Sequence, residues 1–229
     1  MYQERASHVV SAVVWHGTAT SPAEMGHRVL PDGCMDLLWA DGTLWVAGPD
    51  TVGYVAPWPE GTRFSGVRFS PGTAPLLLGV AAHEVRDRVL PLADIVPAAH
   101  ARRLTEFVGQ ARHRESALEE IAAGWAARAD PPDPRIQEVV RLARAGMPVT
   151  AMADTVGVGE RRLHRWCRAA FGYGPKTLAR ILRMNRALTM ARGGTPLAAV
   201  AAAAGYADQA HLGRDFRALA DAPPSALIQ

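Results

Sequence analysis

Between residues 161 and 168 the chain reads Arg161-Arg162-Leu163-His164-Arg165-Trp166-Cys167-Arg168. At 3.6 residues per turn, Arg161, His164, Arg165 and Arg168 share one helical face while Leu163 turns to the opposite one. A guanidinium presents a rigid fork of donors that matches a phosphate or the O6 and N7 atoms of guanine, and a glutamine amide matches adenine. Arg214 and Arg217 stand 49 residues after Arg165 and Arg168, and Gln209 shortly before them. The chemistry on offer is recognition of a polyanion. Two ordinary helical hairpins with solvated arginines would not bring those arginines into register.

The elements that must position these side chains repeat with them. Leu163, Ala169 and Pro175 recur as Leu212, Ala218 and Pro224 at the same offset. Ala153 and Gly157 recur as Ala201 and Gly205 once the second turn is given one extra residue. A repeat of this kind calls for a shared structural unit, and a helix-turn-helix supplies it. The alanine lets two helices cross closely, and the glycine four residues later tolerates the φ > 0 of a sharp reversal. The leucine then packs inward from a second helix. A helix from Pro175 to about Arg192 would join the two units.

Charge follows the same division. Residues 135–229 hold 14 Lys+Arg against 6 Asp+Glu, a balance of +8, whereas residues 1–134 hold 11 against 16, a balance of −5. The basic half is the part expected to meet double-stranded DNA. Between the halves, Asp130-Pro131-Pro132-Asp133-Pro134 cannot continue a helix. The expected organisation is a sensor or regulatory domain over 1–130, a proline-rich linker over 131–134 and a DNA-binding domain over 135–229.

The stretch from about Val149 to Leu227 resembles the DNA-binding domain of the AraC/XylS family of transcription regulators. Ala201 to Gly205-Tyr206, Asp208-Gln209, Leu212, Arg214-Asp215-Phe216-Arg217 and Pro224-Ser225 carry the likeness. Residue by residue, the resemblance implies that Arg161, His164 and Arg165 face bases from the first unit, and Gln209, Ala210, Gly213 and Arg214 from the second. Arg162, Arg168 and Arg217 are implied phosphate contacts. Ala210 and Gly213 bring no side-chain hydrogen bonds, so the second unit should read less directly. Cys167 replaces the family's usual Phe, and Asp221 replaces a Gly that commonly ends the last long helix. RNA polymerase, for an activator, and a second copy of the chain are the further partners implied.

The N-terminal half reads as short strands over His8–Trp15, Met35–Ala40, Thr43–Ala47 and Arg63–Phe69, with Asp41-Gly42 as a two-residue hairpin turn. A helical stretch follows over about 97–129, with Leu104, Phe107, Val108 and Ala111 on one face. The expected class is α+β with two domains: an N-terminal β-sandwich or barrel-like domain with a helical tail, then an all-α domain with two helix-turn-helix units joined by a long helix. Leu30 to Leu37 and Gly66 to Gly72 are similar to a sensor-type domain found ahead of such DNA-binding domains. Trp15, Trp39, Trp45 and Trp58 cluster early in the chain. They serve either as core or, with Asp36 and Arg68, as a pocket for a small-molecule effector: Trp15, Asp36, Trp39, Trp45 and Arg68.

The rival reading is a metal-dependent β-barrel enzyme domain fused to the DNA-binding part. Its candidate ligands, His8, His16, His27, Cys34 and His83, form no HxH, HxxxH or HExxH pair that would place two on one face. No GxSxG, GxGxxG or P-loop pattern occurs either, so neither catalysis nor a cofactor is expected. Cys34 and Cys167 are too few for a disulfide framework or for the four-cysteine zinc site of a repair methyl acceptor. The charged opening MYQERASHVV and the lack of a long apolar run point to neither a signal peptide nor a membrane span, and to the cytoplasm as the expected location.

Overall fold

Short runs rich in Val, Leu, Trp and Phe build a sheet in the first half, and 3.6-residue periodicity builds helices in the second. The computed structural model describes residues 2–9, 11–19, 28–56 and 58–228. Its strands are β1 (Gln3–Ala6), β2 (Ala12–Thr18), β3 (Arg28–Val29), β4 (Met35–Ala40), β5 (Thr43–Ala47), β6 (Tyr54–Val55), β7 (Arg63–Phe69) and β8 (Val89–Pro91). Six of them form an open antiparallel sheet in the order β1-β2-β7-β4-β5-β8, and β3 pairs with β6 as a separate ribbon. The strands expected over 35–40, 43–47 and 63–69 have those bounds. The one expected over 8–15 starts instead at Ala12, because Ser11 turns the chain at φ 64°. Asp41 and Gly42 take φ of 46° and 76°, the left-handed pair that a tight hairpin needs.

The two faces of the sheet do different things. Val14, Leu37 and Val67 lie in register on one face, with Met35, Trp39, Leu44 and Phe69 beside them. That face is buried under α1 (Ala74–Leu78), α2 (Ala98–Gln110) and α3 (Arg114–Ala126). Each fully buried Leu, Val or Phe there contributes roughly 1.5–3 kcal/mol. The helical tail is thus two helices, broken at 111–113. A single helix of that length would run about 50 Å, more than twice the span of a seven-residue strand. These helices occupy the place where a sandwich would stack a second sheet.

The second half consists of α4 (Pro134–Arg144), α5 (Val149–Thr155), α6 (Glu160–Phe171), α7 (Pro175–Arg192), α8 (Leu197–Ala204) and α9 (Gln209–Ala220). Asp133 caps α4 by accepting from the Arg135 N–H, and Gly146, at φ 73°, follows its end. Leu163, Phe171, Ile181, Leu212 and Phe216 are fully buried in one cluster that runs from Val139 to Leu227. A separate cluster runs from Val9 to Trp125. Among the described residues no helix is long and apolar enough to cross a membrane.

Candidate nucleic-acid interface and adjoining cavity

The α5–α6 and α8–α9 pairs are built on the same turn. In the first, Val158 N–H donates to the Ala153 carbonyl at 3.0 Å and Gly157 N–H to that of Asp154 at 3.1 Å. In the second, Tyr206 N–H donates to Ala201 at 2.9 Å and Gly205 N–H to Ala202 at 3.2 Å. Gly157 and Gly205 take φ of 70° and 83°, which an L side chain would resist. Ala153 and Ala201 are buried at the crossings. The second turn is one residue longer and places Asp208 as N-cap of α9, accepting from the His211 N–H.

Each second helix buries one stripe and presents the other. On α6, Leu163, Cys167 and Phe171 are buried, whereas Arg161, Arg162, His164, Arg165 and Arg168 are exposed. On α9, Gln209, Ala210, Arg214 and Arg217 are exposed and Gly213 is half-buried. The His164 ring lies so close to Gly174 that a Cβ there would come within 2.7 Å of its Nε2. Cys167 is fully buried, which pushes its thiol pKa up to about 12 and keeps it out of thiolate chemistry. Asp221 ends α9 in the left-handed conformation, φ 49°, that its place demands.

Sequence reasoning missed the groups that hold these helices in place. Arg135 of α4 and Arg162 both stack on Trp166, at 4.6 Å and 5.0 Å from its ring centre. Asp215 of α9 is buried and accepts from Arg180 at 2.6 Å and Arg183 at 2.9 Å, both on α7. Burial opposes its ionisation, but the bonds from Arg183 and Arg180 outweigh it and hold the carboxyl below its usual range. Arg183 also lies over the Tyr206 ring at 4.2 Å, and Arg186 donates to the Ala203 carbonyl. The only hint in the sequence was the i, i+3, i+6 spacing of these arginines along α7.

The open face of the sheet borders a cavity of about 690 Å³. Trp15, Asp36 and Arg68 line it together: the indole N–H of Trp15 donates to Asp36 at 2.7 Å, and Arg68 lies 3.3 Å from the same carboxylate. Gly66, opposite Trp15 in the register, makes room for the indole, since a Cβ would come within 2.5 Å of its ring. Burial raises the Asp36 pKa, with Arg68 acting against it. Trp39 is not part of this wall. Residues of one strand alternate faces, so Trp39 goes with Leu37 into the core, near Gly109 and under the Arg114 guanidinium. Trp45 stands edge-on behind Trp58, ring centres 5.6 Å apart, and Trp58 forms the lining. Sequence reasoning also missed Asp50, Tyr54 and Phe64, and Asn185, Leu188 and Arg192 from α7. Of the proposed metal ligands, His27 lies outside the described residues; among those described, no three His, Cys, Asp or Glu side chains could hold a metal ion together.

The N-terminal half grips the C-terminal ends of both exposed helices. Arg86 donates to the Gly172 carbonyl just past α6 at 3.2 Å, and a Cβ on Gly172 would meet Pro49 at 2.7 Å. Gly53 N–H donates to Leu219 at 2.6 Å, and Arg28 to Ala220 at 2.9 Å, both at the end of α9. The Asn185 amide donates to Pro31 at 2.7 Å. The N-terminal halves of α6 and α9, the parts that enter a major groove in such folds, stay exposed.

Two helix-turn-helix units with arginine-rich outer faces behind a β-rich domain define a DNA-binding regulator. Residues 152–229 match the family described as a helix-turn-helix domain. Residues 7–91 match a domain of unknown function, DUF6597. No curated protein matches the chain. The fold is similar to crystal structures of ToxT from Vibrio cholerae. An apo variant from strain SCE256 has a TM-score of 0.53 at 11% identity, over 97% of this chain and 98% of that one. A second ToxT crystal form gives 0.52 at 10%, over 99% and 97%. Wild-type ToxT bound to an unsaturated fatty acid gives 0.50 at 10%, over 95% and 94%.

Proposed function

We propose that this protein is a sequence-specific transcription regulator that reads duplex DNA with α6 and α9 and is modulated by a small molecule in the cavity. The observation that carries the reading is the exposed face of α6, which sets Arg161, His164, Arg165 and Arg168 on a helix built on the same turn as α9. Arg165 and Arg214 are assigned to guanine edges, Gln209 to adenine, and Arg161 and His164 to neighbouring bases. Arg162, Arg168 and Arg217 are assigned to phosphates. If α7 sets the two helices ~34 Å apart, they enter successive major grooves on one DNA face. The effector reading is supported by the cavity lying against α7, the helix that joins the two units. ToxT, which has the same fold, has been crystallised with a fatty acid bound.

The test is selection of duplexes by the purified full chain, followed by affinity measurements over a range of salt. Affinity should fall steeply with salt, with several ions released. Failure to enrich any sequence, or tight binding indifferent to salt, overturns the reading.

A further inference from the structure

The cavity is electrostatically lopsided. Arg68, on its sheet wall, is met by two carboxylates, Asp36 at 3.3 Å and Asp32 at 3.6 Å. The other guanidiniums on the wall are engaged elsewhere: Arg28 with the Ala220 carbonyl and Asp221, Arg192 with the Leu227 carbonyl at 3.0 Å. Asp50, half-buried between β5 and β6, has no hydrogen bond or ion pair among the described residues. Burial first, then the charges of Asp87, Asp32 and Asp36, push its pKa up to about 7. A carboxylate in that position lacks a counter-ion. Tyr54, Trp58 and Phe64 line the same cavity, with Trp58 and Phe64 edge-to-face at 5.5 Å.

We propose that the cavity binds an organic cation, an ammonium head on an apolar body, with Asp50 as its counter-ion and Tyr54, Trp58 and Phe64 as the surface that receives the body. Aromatic faces and an unpaired carboxylate are the two groups that attract such a head, the first through the ring quadrupole and the second through charge. The volume suits a molecule of drug size. A carboxylate ligand would instead meet Glu4, Asp32, Asp36 and Asp50 while finding its arginines occupied. This proposal rests on the reading of the cavity as the effector site and specifies what it takes.

The experiment titrates the full chain with three probes of one shape, 2-naphthylmethylammonium, 2-naphthylmethanol and 2-naphthoate. Binding is followed by tryptophan fluorescence and calorimetry, and affinity for the selected DNA is measured in parallel. The ammonium should bind about ten-fold or more tighter than the alcohol, with the carboxylate weakest. Asp50→Asn should erase the preference for ammonium over alcohol without lowering the unfolding midpoint. Equal binding of alcohol and ammonium, a preference for naphthoate, retention of the preference in Asp50→Asn, or no binding at millimolar concentration overturns the proposal. Ammonium binding that leaves DNA affinity unchanged upholds the cation site and removes its role as effector. Naphthoate binding best and shifting DNA affinity does the reverse.

Discussion

The side-chain amide of Asn185 bonds the backbone carbonyl of Pro31 at 2.7 Å, joining the middle of α7 to the loop that leads into β4. Asn185 also lines the cavity. Asn185→Ala is expected to lower unfolding free energy by about 1 kcal/mol, one hydrogen bond's net worth, and to weaken any response of DNA affinity to a cavity ligand. Chemical denaturation and DNA titration with and without ligand check it. A full response in the variant would show that this bond is not part of the coupling.

The two exposed helices should not share recognition equally. Arg161, His164 and Arg165 all offer donors from α6, while Ala210 and Gly213 leave α9 with Gln209 and Arg214. Arg165→Ala is expected to cost more discrimination than Arg214→Ala, with about 1–3 kcal/mol for a lost bidentate contact. Arg168→Ala should weaken all sequences alike and reduce the salt slope by about one. Binding to the selected site and to versions with either half scrambled separates these effects. Loss of discrimination in Arg214→Ala alone would make α9 the principal reader.

Asp215 ties α9 to α7 through two guanidiniums. Asp215→Ala leaves both without their buried partner and is expected to destabilise by roughly 3 kcal/mol. It should also cost DNA affinity, because α9 loses its orientation. Asp215→Asn should recover part of the stability by still accepting a hydrogen bond. Thermal unfolding showing no loss in Asp215→Ala would mean that packing alone seats the helix.

Residues 135–229 hold a buried cluster of their own. Expressed alone, they should be helical by circular dichroism and bind DNA in a salt-dependent way. Their stability should be lower than in the full chain, since Phe171 and Tyr173 lose cover from Gly72 and Gly33. An unfolded fragment would place the boundary elsewhere.

Glu119 gives the β-rich half an acid-sensitive tie. It accepts from Arg5 at 2.7 Å, from the Ser7 hydroxyl and from the His8 N–H, and these bonds, Arg5 foremost, outweigh burial to lower its pKa to about 2. Because the folded pKa lies below the unfolded value of 4.5, this stability is fully present above pH 4.5 and is lost as pH falls toward 2. Glu119→Gln is expected to cost about 1–3 kcal/mol at neutral pH and to flatten the stability profile between pH 5 and 2. Parallel denaturation curves for the two proteins across that range would contradict it.

Patterns with a short repeat were legible in the sequence, and contacts between distant segments were not. The strands over 35–40 and 43–47, rich in Leu, Trp and Val, the alternating strand over 63–69, the Asp41-Gly42 turn and the paired Gly157 and Gly205 turns each follow from a few adjacent residues. The same alternation, applied strictly to β4, would have sent Trp39 to the core. Compositional clustering of tryptophans overrode it. The Arg180–Asp215–Arg183 group and the cavity wall need segments more than 30 residues apart to meet, and no local rule brings them together. In Leu30 to Leu37 and Gly66 to Gly72 the strand residues were legible from their pattern, while the loop residues beside them, Leu30 to Cys34 and Ser70 to Gly72, drew notice by resemblance. Both prove to border the cavity at one end and the helix-turn-helix part at the other, through Asp36 and Pro31 in the first and Arg68 and Pro71 in the second.

One helix, α7, lies between the two helix-turn-helix units and is also a wall of the cavity. Under the proposed function, a compound that favours one seating of that wall favours the spacing of α6 and α9 that goes with it. Linkage makes the exchange symmetrical, so a DNA site that alters the affinity for the compound is altered in turn by the same factor. Two operators that differ only in the distance between half-sites would then set two different thresholds of response to one compound within one cell.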